Sequence, residues 1–185
     1  MIKHDRSTDL LLLAGKVIAV FMQGAMAFGG LVLIFVAGAL AIGHDAIQAE
    51  LKADMDYADV VLPVFPMIGV MLVGLGILAA LFVFFGKLRA IINTVSDGDP
   101  FVPANAERLS LMAWLMLGVQ LLVLAAIPFA LQLADFAQKF GEHADINIDG
   151  GGFDLSGILL VIILFILARV FRHGAAMRED LEGTV

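Results

Sequence analysis

Four long apolar runs, separated by short polar breaks, set the first expectation. They lie within Leu10–Gly43, Pro63–Val95, Leu109–Ala134 and Leu155–Phe171. A helix needs about 20 apolar residues to cross a hydrocarbon core of roughly 30 Å. The fourth run is the shortest at 17 residues, but LSGILLVIILFILARVF is almost wholly aliphatic. None of the runs alternates with period two, as the strands of a membrane barrel would. Backbone groups in lipid must bond within their own segment, so the runs are read as helices. The predicted spans are 17–43, 63–85, 109–131 and 155–172. Residues 1–185 then form a single domain, an all-α integral membrane protein built as a four-transmembrane-helix antiparallel bundle.

The helical pattern outruns the spans. After Phe85, the residues Leu88, Ile91, Ile92 and Val95 continue an apolar stripe opposite Lys87 and Arg89. After the fourth span, Val170, Gly174, Met177 and Leu181 are spaced four, three, four, like a coiled-coil seam. Helix extensions on the cytoplasmic side follow, with Ser7 or Asp9 as cap candidates for the first helix. Their stripes either pack on one another or receive a cytosolic protein. In the first outer connection Ile47, Leu51 and Met55 predict a short surface helix, and Asp54, Asp56 and Asp59 a solvated face.

Composition supports a lipid environment. The chain is 61% hydrophobic and 16% charged, with mean hydropathy +0.99, whereas soluble domains carry about 25% charged residues. The first run, 34 residues long, exceeds the roughly 7–15 of a signal peptide's apolar region. The absence of cysteine removes disulfides and thiol chemistry. A net charge of −7 argues against direct nucleic-acid binding.

Charge distribution gives the direction. Lys3, Arg6, Lys16, Lys87, Arg89, Arg108, Arg169, Arg172 and Arg178 lie at the two termini and the second connection, while the other two connections hold only Lys52 and Lys139. The positive-inside rule therefore predicts a multi-pass protein of a bacterial inner membrane with both termini cytoplasmic. In the second connection, TVSDGDPFVPANAERLS, Gly98 suits the left-handed position after a helix and Pro100 blocks re-entry. Asn105 is expected as the next N-cap, with Glu107 in the first turn. Phe101 and Val102 are not explained by a turn alone and call for a cover.

Candidate chemistry is sparse. DINIDGGGFDLS places Asp145, Asn147, Asp149 and Gly150 as in a calcium loop, with Asp154 as a further oxygen, but Ser156 stands where a bidentate Glu belongs. A short strand at Ile146 and Ile148 with a glycine turn is the alternative, and weak or no calcium binding is expected. Gln23 and Gln120 lie well inside the spans, at similar depths by their distance from the helix starts, and are read as interhelical glue. Ala25 and Gly29, with Gly69, Gly74 and Gly76, allow close helix approach within the bundle or between subunits of a homo-oligomer. Pro128 is expected to kink the third helix. His4, His44, His143 and His173 lack ligand spacing. No enzymatic activity, metal or cofactor is expected.

Two motifs carry a resemblance: LRAIINTVSDGDPFVPANAERLSLMAW and LARVFRHGAAMREDLEGTV. Together, in a four-span chain, they resemble the bacterial membrane-protein family catalogued as domain of unknown function 2975. The matching positions are Gly98, Pro100, Phe101, Asn105, Arg108 and Leu109, then Gly174, Glu179, Asp180, Thr184 and Val185. Members of that family are similar to proteins often encoded beside a small helix-turn-helix regulator. The resemblance implies a regulatory interaction protein engaging such a cytosolic transcription regulator. Phe101, Val102, Asn105, Arg108, Gly174, Arg178, Glu179 and Asp180 are the expected partner-binding residues. A small transporter or permeability protein, or an outer-face sensor using residues 145–154, are the alternatives.

Overall fold

The computed structural model describes residues 6–53, 61–138 and 154–182. It contains four helices: α1 (Arg6–Ala53), α2 (Val64–Ser96), α3 (Pro103–Gln138) and α4 (Leu155–Glu182). All four are long and apolar enough to cross a membrane. The helices overrun their spans. The 48 residues of α1 reach about 72 Å at 1.5 Å each. Ser7 and Asp9 already lie inside α1, so neither caps it. Ile47 and Leu51 continue α1 rather than starting a separate helix, because Ala46, Ala49, Glu50, Leu51 and Lys52 are strong helix formers and no proline stands before them to end α1 at Gly43. Met55 lies outside the described residues.

The antiparallel bundle packs in series. Among the described residues α1 packs on α2, α2 on α3 and α3 on α4, and no other pair of helices approaches closely. The ring is therefore open between α1 and α4. Side chains that meet across each interface fix the register. Ile92 lies against Gly15, Leu78 against Gly29, and Leu33 against Gly74. Leu122 meets Gly76 and Phe129 meets Gly69. Trp114 and Phe165 meet edge to face, 5.5 Å between centroids.

This register sorts the molecule into two ends. Lys16, Lys87, Arg89, Arg108, Arg169 and Arg172 fall in one band, about 9 Å deep along the bundle axis. We call this the basic end. Toward the far end, α1, α2 and α3 each run through a long uncharged stretch. The uncharged part of α4, from Leu155 to Ala168, spans only about 21 Å. α4 starts level with Leu122, so α3 runs on well past it. Gln23 lies level with Phe82 and Gly86, whereas Gln120 lies over Gly157 at the start of α4. The two amides are thus about 9 Å apart in depth, not level as expected. Distance from a helix start misjudged them because the helices start at different heights.

Burial concentrates at the basic end. Ile91, Leu109, Met112, Ala113, Leu164 and Ala168 form one cluster, with Leu88, Val95 and Phe171 packed against it. The stripe at the end of α2 is thus used as expected. The stripe on α4 is not packed inside the bundle: Val170 is 54%, Met177 53% and Leu181 71% exposed, and only Gly174 is covered, by the Phe101 ring. The face of α4 against α3 is instead Val161, Leu164, Ala168 and Ala175. Small residues there let α4 approach α3, and a spacing of three or four alone cannot choose between neighbouring stripes.

Candidate functional site

The connection between α2 and α3 is built from its last helical turn. Asp99 N–H donates to Thr94 O at 2.9 Å and Gly98 N–H to Val95 O at 3.1 Å, the Schellman arrangement. Gly98 carries the positive φ of 81° that this ending requires. Pro103 then opens α3 at the position where a missing N–H does no harm.

Asn105 is therefore not the N-cap. It is the third residue of α3, and Glu107 falls beyond the first turn, which holds no acid. Its side chain is fully buried. Asn105 Nδ2 donates to Thr94 Oγ1 at 2.7 Å and to Pro100 O at 2.8 Å. Its Oδ1 accepts from Arg108 Nη1 at 2.7 Å, and that guanidinium also reaches Ala90 O at 3.4 Å. The Thr94 hydroxyl in turn donates a hydrogen bond to Ile91 O at 2.8 Å. This polar knot ties the end of α2, the turn and the start of α3 together. Among the described residues no buried side-chain polar atom lacks a partner.

The tail of α4 closes on the same turn. The ring of Phe101 lies over Gly174, where a Cβ would come within 2.7 Å of a ring carbon. Phe171 supports that ring from the side, at 5.3 Å between centroids. Arg178 donates to Asp99 in a half-exposed ion pair. Val102 is half-buried, and its carbonyl accepts the Asn105 N–H. Glu179 borders a small hollow beside Val102, Pro103 and Arg178.

The residues expected from the sequence thus divide by role. Phe101, Val102, Gly174, Arg178 and Glu179 share one surface. Asp180 is on the exposed tail. Asn105 faces inward and cannot touch a partner, and Arg108 is half-buried beside it. Thr94, Asp99 and Phe171 belong to the same assembly but were not singled out. Each acts through a partner on another element, Thr94 through Asn105, Asp99 through Arg178 and Phe171 through Phe101, and local sequence gives no sign of that.

Of the calcium-loop residues only Asp154 is described; Asp145, Asn147, Asp149 and Gly150 lie outside the described residues, as do Ile146 and Ile148. Asp154 Oδ1 accepts the Ser156 N–H at 3.0 Å and so caps α4. Among the described residues no group of three His, Asp or Glu side chains could hold a metal ion.

The fold defines a multi-pass membrane protein whose connection and tail meet at one end. Its sequence matches the profile of a protein family of unknown function, DUF2975, over residues 45–185, and the chain belongs to that family. A search of curated proteins and a search of solved structures return no match.

Proposed function

We propose that this chain is a non-enzymatic regulatory protein of a bacterial inner membrane, holding a cytosolic helix-turn-helix transcription regulator at its basic end. One observation carries this reading: the turn and the α4 tail form a single fixed surface, with Phe101 seated on Gly174 and Arg178 paired with Asp99. On and beside that surface Phe101 and Leu181 remain 42% and 71% exposed. Exposed apolar side chains on a rigid frame, with Arg178 and Glu179 beside them, suit an anchor-and-register contact with a protein. The excess of Lys and Arg at this end supports a cytoplasmic placement of both termini. The resemblance supplies the class of partner.

A transporter has less support. The uncharged stretches contain Gln23 and Gln120, each lying on a glycine of the next helix, which suits packing.

The test is co-purification of the full chain from its host, with any small helix-turn-helix regulator retained identified by mass spectrometry, wild type against Leu181→Glu/Glu179→Lys. Both substitutions sit on the surface and leave the Asn105 knot intact. Binding by wild type and loss in the variant supports docking. A regulator that binds neither chain, or both equally, sinks it.

A further inference from the structure

We propose that the groove beside Phe101 on the outward face of α4 binds an anionic phospholipid from the leaflet at the basic end. The groove holds about 750 Å³ and runs along α4 from Ile166 to Met177. Phe101, seated on Gly174, forms part of its wall. Its chemistry changes along its length. Ile166 belongs to the uncharged stretch of α4, and the exposed side chains of Leu159, Ile162 and Ile163 continue that apolar surface away from the basic end. Arg169 and His173 follow, one helical turn apart and level with the basic band. Phe101 and Met177 flank them on the water side.

That order matches a phospholipid standing upright in its leaflet. An acyl chain lies along Ile166 and Ile162. The phosphate meets Arg169, whose planar guanidinium can donate two parallel N–H bonds. His173 can donate a further N–H in either protonation state. The acids nearest in sequence along α4 are Glu179 and Asp180, about two turns beyond Arg172. Asp99 is engaged by Arg178.

The other occupants fit less well. A second copy across a two-fold axis would bring the same patch onto itself. Arg169 would then face Arg169 in the middle of the contact. A cytosolic protein would not reach Ile166, which lies on the membrane side of the basic band.

The experiment uses the full chain in phosphatidylcholine nanodiscs with a rising fraction of phosphatidylglycerol. Melting temperature and lipid retained in native mass spectrometry are the readouts. Wild type is expected to hold phosphatidylglycerol specifically and to melt higher as its fraction rises. Arg169→Gln/His173→Gln is expected to weaken that binding about tenfold or more, since it removes the charged donors that face the phosphate. Val170→Trp, which fills the groove and keeps both basic side chains, is expected to exclude the lipid too. Arg89→Gln, in the same band outside the groove, is expected to change nothing. Four results would overturn the proposal. Arg89→Gln could lose as much as the double variant, which means diffuse attraction. Val170→Trp could bind normally. Inorganic phosphate in pure phosphatidylcholine discs could give the same melting shift, which means the apolar half is idle. Met177→Cys, in a chain with no other cysteine, could cross-link efficiently to a second copy in the membrane.

Discussion

At the basic end, Ile91, Leu109, Met112, Ala113, Leu164 and Ala168 are buried in one cluster, and Asn105 beside them is sealed from solvent by bonds to three neighbours. At the far end Leu40, Pro66 and Ala134 are buried outside that cluster. Phe65 and Phe129 meet there by their edges at 5.9 Å, and Gln48 Oε1 accepts the Leu62 N–H. The contrast has a physical cause. Lipid tails are as apolar as leucine, so apolar contact inside a bilayer gains little over contact with lipid. Register must be set by close packing and by polar groups with no better partner. The basic end holds such a knot, and the rest of each helix follows its lead.

The largest test of this difference is the knot itself. Asn105→Ala removes the donor to Thr94 Oγ1 and Pro100 O and the acceptor of Arg108, leaving Thr94 only its bond to Ile91 O and the guanidinium only its 3.4 Å contact with Ala90 O. An unsatisfied buried polar group costs about 1–3 kcal/mol, and several are exposed to that loss at once. The expected cost is about 2–4 kcal/mol, or roughly 4–16 °C in Tm for a chain of this size. Thermal unfolding in detergent followed by circular dichroism measures it. A variant that melts with wild type means that register is held elsewhere.

Next come two glycines with the same local problem. A Cβ at Gly174 would come within 2.7 Å of the Phe101 ring, and one at Gly69 within 2.6 Å of the Phe129 ring. Gly174→Ala pushes a ring off Phe171 and into water. Gly69→Ala pushes a ring toward lipid, where its apolar surface keeps an apolar neighbour. Overpacking costs about 1–3 kcal/mol, and the far-end variant is expected at the bottom of that range and the basic-end one near the middle. Melting curves of the two single variants, run side by side in the same detergent, decide this. Equal losses would mean that the two ends differ only in residue type and not in the solvent around them.

Much of this architecture was legible in advance. Four helices, their antiparallel order and the apolar stripe from Leu88 to Val95 follow from run length and a period of three to four. The turn was legible through Gly98 and Pro100, whose backbone limits are local. What could not be read depends on partners distant in sequence. Asn105 has the side chain of a good N-cap, and only Thr94 and Pro100 across the turn make it an inward tie. Phe101 looked like a residue in need of a cover, and Gly174 and Phe171, some 70 residues on, partly supply one. Val170 and Met177 have the spacing of a seam, but Ala168 and Ala175 let α3 approach more closely and take that role. The relative heights of Gln23 and Gln120 needed the register of the two interfaces between α1 and α3.

The smallest effect is expected at Arg178, although it joins the two parts of the proposed docking surface. Its side chain is 49% exposed and that of Asp99 37%. A half-exposed ion pair is worth about 0–1 kcal/mol after solvent screening and the ordering of a long side chain. Arg178→Gln should therefore shift melting far less than Asn105→Ala, and the shift should fade further as salt is raised, since screening acts over roughly 8–10 Å at physiological ionic strength. A melting series at low and high salt tests both points. If Arg178→Gln instead costs as much as Asn105→Ala and ignores salt, the tail is part of the knot. The ion pair, rather than the seating of Phe101 on Gly174, would then be what fixes the α4 tail against the turn.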